Sequence, residues 1–192
     1  MKRMLFCQCG WLFAVALRVS AIDFTPRFSD TLVAGVVHRQ LFFVDGRDKV
    51  TLNLGIGTKV EAGGGGAVFR FPAIPGAMLI LKPSPLAADE AFSASTLERY
   101  REAALRLLPE GTTEVTRLAE TEDPFPISGW HSYSMAFAFE VSGARQRASV
   151  TFANVNKTEQ IVAITLADEA GFDDATEKSW SIIRTWHSTA PE

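Results

Sequence analysis

From Tyr133 to Val141 large apolar residues take every second position, Tyr133, Met135, Phe137, Phe139 and Val141, with Ser134, Ala136, Ala138 and Glu140 between them. A period of two puts one set on one face of a strand, and a face that large must be covered. Ser142-Gly143-Ala144 turns the chain into a second alternation, where Ala148, Val150 and Phe152 interleave with Arg147, Ser149 and Thr151. A turn at residues 154–157 leads into TEQIVAITLAD, whose unbroken apolar run suits a central strand covered on both faces. The three segments predict an antiparallel meander. Upstream, residues 67–71 and 77–81 read as short strands around the proline-marked turn PAIPG. Residues 41–44 and 49–54 flank Asp45-Gly46, a hairpin signal because both residues tolerate positive φ. Residues 22–35 show no clear period, which predicts an N-terminal arm over 22–38.

Twice the period changes to that of a helix. In SASTLERYREAALRLLPEG, Leu97, Tyr100, Ala104 and Leu107 or Leu108 share a face; Ser95 and Glu98 fit a capping box, and Pro109 with Gly111 marks the stop. In AGFDDATEKSWSIIRTWH, Asp173 suits a cap, acids crowd the first turn, and Phe172, Trp180, Ile183 and Trp186 supply apolar contacts. Strands, helix, strands, helix is an α+β order with a mainly antiparallel sheet. A central strand apolar on both sides needs cover on both, which favours a three-layer α/β/α sandwich over a sheet wrapped on one helix. No repeat or linker divides the chain, so residues 22–192 are expected to form one domain.

The first twenty-one residues of the 192 stand apart. Lys2 and Arg3 precede a 14-residue apolar stretch, Met4 to Leu17, and Val19-Ser20-Ala21 offers the small residues that signal peptidase accepts. The stretch falls short of the roughly 20 residues a membrane span needs, and Arg18 breaks its continuation. The expectation is a secretory signal, cut after Ala21, and a periplasmic or secreted protein, with retention as an anchor the alternative. Cys7 and Cys9 lie inside it, too early and with the wrong neighbours for a lipoprotein, so the mature chain would have no thiol and rely on packing. Losing Lys2, Arg3 and Arg18 with no acid takes the formal charge from −3 to −6. An acidic chain without a basic cluster is unsuited to nucleic acid or anionic lipid, which leaves a protein or small molecule as partner, and no stable membrane insertion after cleavage.

The span GWHSYSMAFAFEVSGARQRASVTFANVNKTEQIVAITLADEAGFDDATEKSWSIIRTWH resembles the PsbP-like superfamily, whose branches include the photosystem subunit PsbP, a nuclear Ran-binding protein of the Mog type and the envelope protein DcrB. The likeness lies in a long aromatic strand, a strand rich in Arg and Thr, an apolar strand and a closing helix with spaced aromatics. It implies an α/β/α sandwich and a binding or assembly role. It carries over no active-site residue, and the leader matches the envelope branch best.

Candidate chemistry is thin. Gly63 to Gly66 lack the Lys-Ser/Thr of a phosphate loop, and a strand follows where a nucleotide site needs a helix, so the run reads as an exposed turn. Imidazole bases are limited to His38, His131 and His187, none within a nucleophile-elbow motif. Without cysteine these histidines are a poor metal set, and Asp168, Glu169, Asp173 and Asp174 lack the spacing of a calcium loop. No catalytic, cofactor or metal residue is therefore assigned. The expected protein is a non-enzymatic binding or accessory module of the bacterial envelope, with a small secreted hydrolase using His131 or His187 as the rival. Any binding surface is expected on the loop before the aromatic strand: Phe125, Trp130 and His131, with His187 as neighbour.

Overall fold

A computed structural model describes residues 22–46, 48–87, 92–124, 127 and 129–189. Seven strands form one antiparallel sheet: β4 (Lys59–Gly63), β5 (Gly66–Arg70), β6 (Met78–Pro83), β7 (Thr112–Glu122), β8 (His131–Val141), β9 (Ala144–Asn154) and β10 (Gln160–Asp168). Their spatial order is β4-β5-β6-β10-β9-β8-β7. The predicted meander is present, with Met135 opposite Val150 and Val150 opposite Ile164. β10 is central, and its register opposes Ile164 to Ile80 of β6.

Alternation distributes the core between two faces. On one, Tyr133, Met135, Phe137, Phe139, Val150, Phe152, Val162 and Ile164 meet Tyr100, Ala103 and Ala104 of helix α1 (Leu97–Arg106). On the other, Leu79, Leu81, Ile161, Ala163 and Ala167 meet Phe172, Ala175, Ile182 and Ile183 of helix α2 (Phe172–Ile183). The sandwich thus has helices on both faces. The α2 side also carries a second, four-stranded sheet, in the order β1 (Asp23–Val33), β2 (Val36–Asp45), β3 (Asp48–Leu52) and β11 (His187–Thr189). Phe24, Leu41, Phe43, Val50 and Leu52 bring its inner face into the same cluster as α2.

Several expectations shift. The segment expected as an arm is strand β1 and the start of β2, paired from Arg27↔Phe42 to Val33↔Val36. From Arg27 to Leu32 successive residues are all exposed, Phe28 and Leu32 included, so neither face is covered and no alternation shows. Asp45 pairs with Asp48, which moves the β2–β3 turn one residue on from Asp45-Gly46. Helix α1 takes Thr96 as N-cap and not Ser95; the Ser95 hydroxyl lies 2.9 Å from that of Ser93, and Glu98 pairs with Arg101. Gly171, not Asp173, is the N-cap of α2. Trp186 lies beyond α2 and packs 5.1 Å from Trp130, ring centroid to centroid.

The glycine run is a tight hairpin. Gly63 pairs with Gly66, leaving Gly64 and Gly65 as the turn at φ of 60° and 77°, the left-handed pair a type I′ turn requires. Among the described residues no helix is long and apolar enough to cross a membrane.

Candidate functional site

The loop before β8 is tied down by the chain's own polar groups. Asp123 N–H donates to the Ser132 carbonyl at 2.7 Å, and Ser132 N–H donates to Asp123 Oδ1 at 2.8 Å. Within this clamp Trp130 N–H donates to the Ile127 carbonyl at 3.1 Å. The Trp130 ring turns inward, 9% exposed, edge-on to Trp186, which in turn faces Phe24. Trp130 is therefore a core residue that joins the two sheets.

His131 and His187 each follow one of these stacked tryptophans, so the structure brings together the neighbourhoods that the sequence paired. Both imidazoles are exposed, and they belong to different sheets. His131 Nδ1 lies 3.7 Å from Asp123 Oδ2, too long for a hydrogen bond. The adjacent Ser132 is fully buried on the opposite face, and its hydroxyl has no partner among the described residues. His187 pairs with Thr51 of β3, and its carbonyl accepts from the Thr51 hydroxyl at 3.2 Å. A base, an orienting acid and a nucleophile thus do not converge at either imidazole. Phe125 lies outside the described residues.

Two polar arrangements were not legible in the sequence. The first fastens α1 to the sheet: Arg101 donates to both oxygens of Glu120 at 2.8 Å each, and the Tyr133 hydroxyl donates to Glu120 Oε2. Arg117 completes the group, 3.0 Å from Glu120 Oε1. Bidentate donation from Arg101 holds the Glu120 carboxyl down at about 2, whereas burial, then the Glu120 charge, raises the Tyr133 hydroxyl. Every hydrogen-bonding site of the carboxylate that these residues reach is used, so this is a fastening.

The second is a groove of about 250 Å3 on the α2 side of the sheet. Helix α2 lies over β6, β9 and β10, and the groove opens beyond it on β7, β8 and β9. It is lined by Glu114, Thr116 and Leu118 of β7, Glu140 of β8, Arg145 of β9 and Glu169. Register shifts between Thr113 and Thr116 and between Arg117 and Ala119 bend β7 here, with Glu114 at φ 51°. Glu114 and Glu140 stand with Arg145, Glu169 at the edge is paired with Arg147 at 3.2 Å, and Leu118 is 47% exposed. Arg145 lies 3.7 Å from Glu140, a loose pair that leaves carboxylate oxygens free for another donor. An uncovered half-exposed leucine beside acids can take an apolar group with a cation next to it.

No protein-family model matches the chain, and no curated protein is similar to it. The solution structure of cyanobacterial PsbP (CyanoP) from Synechocystis sp. PCC 6803 is similar over 95% of this chain and 98% of that one, at 14% sequence identity and a TM-score of 0.45. A likeness at this level transfers no function.

Proposed function

We propose that the protein is an exported, non-enzymatic binding or accessory module of the bacterial envelope, and that the groove on β7–β9 is its binding face. The observation that carries this reading is the combination of Leu118, half exposed, with Glu114 and Glu140 beside Arg145 on a part of the sheet that α2 leaves open. Such a face suits a partner segment that places a basic side chain beside an apolar one. Export is supported by the leader-like residues 1–21. The hydrolase reading is disfavoured because Ser132 points away from His131.

The test is site-specific photo-crosslinking from position 118 in cells, with position 105 on α1 as control, since Leu105 is exposed to the same degree. The expected result is a discrete adduct at 118 that is lost in Glu114→Lys/Glu140→Lys and absent at 105. Equal, diffuse crosslinking from both positions, or an adduct indifferent to the glutamates, refutes the groove as the binding face.

A further inference from the structure

At the start of β1, the Ile22 backbone nitrogen donates to Glu159 Oε1 at 2.6 Å, across 137 residues of sequence. Ile22 is 4% exposed and Glu159 8%, so the contact lies inside the protein. The contact is close and direct, with no group between the nitrogen and the carboxylate. The Asn156 amide donates to the other Glu159 oxygen at 3.1 Å. Asp45, half-buried at the end of β2, adds its negative charge near Glu159, and Asp48 of β3 adds its own near Asp45. Glu159 is thus a buried acid with further acids about it. Among the described residues no lysine or arginine forms an ion pair with Asp45 or Glu159.

A buried carboxylate beside other acids is costly to ionise without a counter-ion. An amide nitrogen offers one proton and no charge. The same atom as a chain terminus offers three protons and a full positive charge to set against Glu159. A cavity of about 170 Å3 adjoins Ile22 and Glu159 and gives those protons room.

We propose that Ile22 is the mature N-terminus and that its freed α-ammonium is the counter-ion of the buried Glu159 carboxylate, so that removal of residues 1–21 completes this corner of the fold. The inference rests on the export reading. The step is hydrolysis of the Ala21–Ile22 peptide bond by a signal peptidase: water is consumed, Ala21 leaves as a carboxylate, and the Ile22 amine takes up a proton. With Ile22 still acylated, burial raises the carboxyls of Glu159 and Asp45 above the ordinary range, as expected of acids lacking a cation. The apolar Ile22 side chain, packed in the same cluster as Phe24 and Phe43, fixes the nitrogen over Glu159.

The test starts from a chain beginning at Ile22, which retains every core residue named above. Its partners are the same chain acetylated at Ile22 and one with Ala21 retained. The expected Ile22 amine pKa, read by 15N NMR, is at least about one unit above the ordinary 7.7–8.0. Acetylation or the extra alanine is expected to lower the folding constant about tenfold in urea titrations, and Glu159→Gln to abolish that difference. An ordinary amine pKa, or an acetylation effect unchanged in Glu159→Gln, overturns the pairing; where Glu159→Gln does not fold, Asp45→Asn and the amine pKa decide. N-terminal sequencing of the protein from cells separates the two layers: a first residue other than Ile22 overturns the processing, whereas Ile22 first with an ordinary amine leaves export standing and removes the ion pair.

Discussion

Replacing Gly66 with alanine tests how closely β5 lies against β6. A Cβ on Gly66 would stand 2.1 Å from the Leu81 carbonyl oxygen, 2.6 Å from Lys82 Cβ and 2.9 Å from the Leu81 carbonyl carbon. Two of these atoms are backbone, so no rotamer change relieves the overlap. Relief requires β5 to move by about 1 Å or more to reach ordinary contact distance. That movement loosens the ladder at Ala67↔Leu81 and Val68↔Ile80, next to the fully buried Ala67 and Phe69. Overpacking of this kind costs about 1–3 kcal/mol, and one weakened ladder bond adds about 1. The expected loss is about 2–4 kcal/mol, which for a chain of this size lowers Tm by roughly 5–15 °C. The control is Gly65→Ala, at φ 77° with nothing within 4 Å, where only backbone strain of about 1–2 kcal/mol applies. Urea titrations of both variants, followed by circular dichroism, make the comparison. A Gly66→Ala variant within about 0.5 kcal/mol of the parent, or no less stable than Gly65→Ala, refutes the close approach of the strands.

Glu120→Gln is expected to cost about 1–2 kcal/mol at neutral pH by weakening the Arg101 fork and the Tyr133 bond. Because the folded carboxyl titrates at about 2 and the unfolded one near 4.5, that stability is present above about pH 4.5 and fades as pH falls towards 2, so titrations of variant and parent should converge there. The Ile22 ammonium works in the opposite sense: its folded pKa is raised, so its stabilisation is full below about pH 7.7 and is lost as pH rises through the folded value, which an alkaline urea series detects. Tyr100→Phe removes a buried hydroxyl that accepts from Gln160 Nε2 at 3.1 Å, with an expected loss of about 1–2 kcal/mol by the same titration. His131→Ala, at an exposed site, should leave stability within about 0.5 kcal/mol and the Leu118 adduct unchanged; loss of the adduct would move the binding face to the loop before β8.

The elements that declare themselves in the sequence are those whose burial follows chain period. The odd positions of β8 read as a covered face because every one of them is large, and β10 reads as central because both of its faces are apolar. β1 hides because Arg27 to Leu32 are exposed on both faces, leaving neither alternation nor a long apolar run. Trp186 reads as helical because it falls three residues after Ile183, whereas the chain leaves α2 before it and the ring returns to Trp130. Of the surface proposed from sequence, Trp130 proves structural because its ring is taken by Trp186 and Phe24. The groove on β7 was not legible at all: its residues come from four separate segments, and the bends that shape it depend on the register of β7 against β8.

Glu159 shows why such a corner escapes sequence reading. It sits in NKTEQ, a polar turn between two strands, where an acid ordinarily faces water. Only the meeting of β1 and β10 encloses it, and that meeting joins residues 137 apart. Substitution by an apolar residue would remove the cost of burial, so an acid at this place is favoured where a partner regularly supplies charge. Among the described residues no side-chain cation does so. The Ile22 nitrogen already lies on the carboxylate and needs no rearrangement to take that part, only the loss of its acyl group. Cleavage then gives Glu159 a counter-ion that no described side chain supplies, so the precursor is expected to be the less stable of the two.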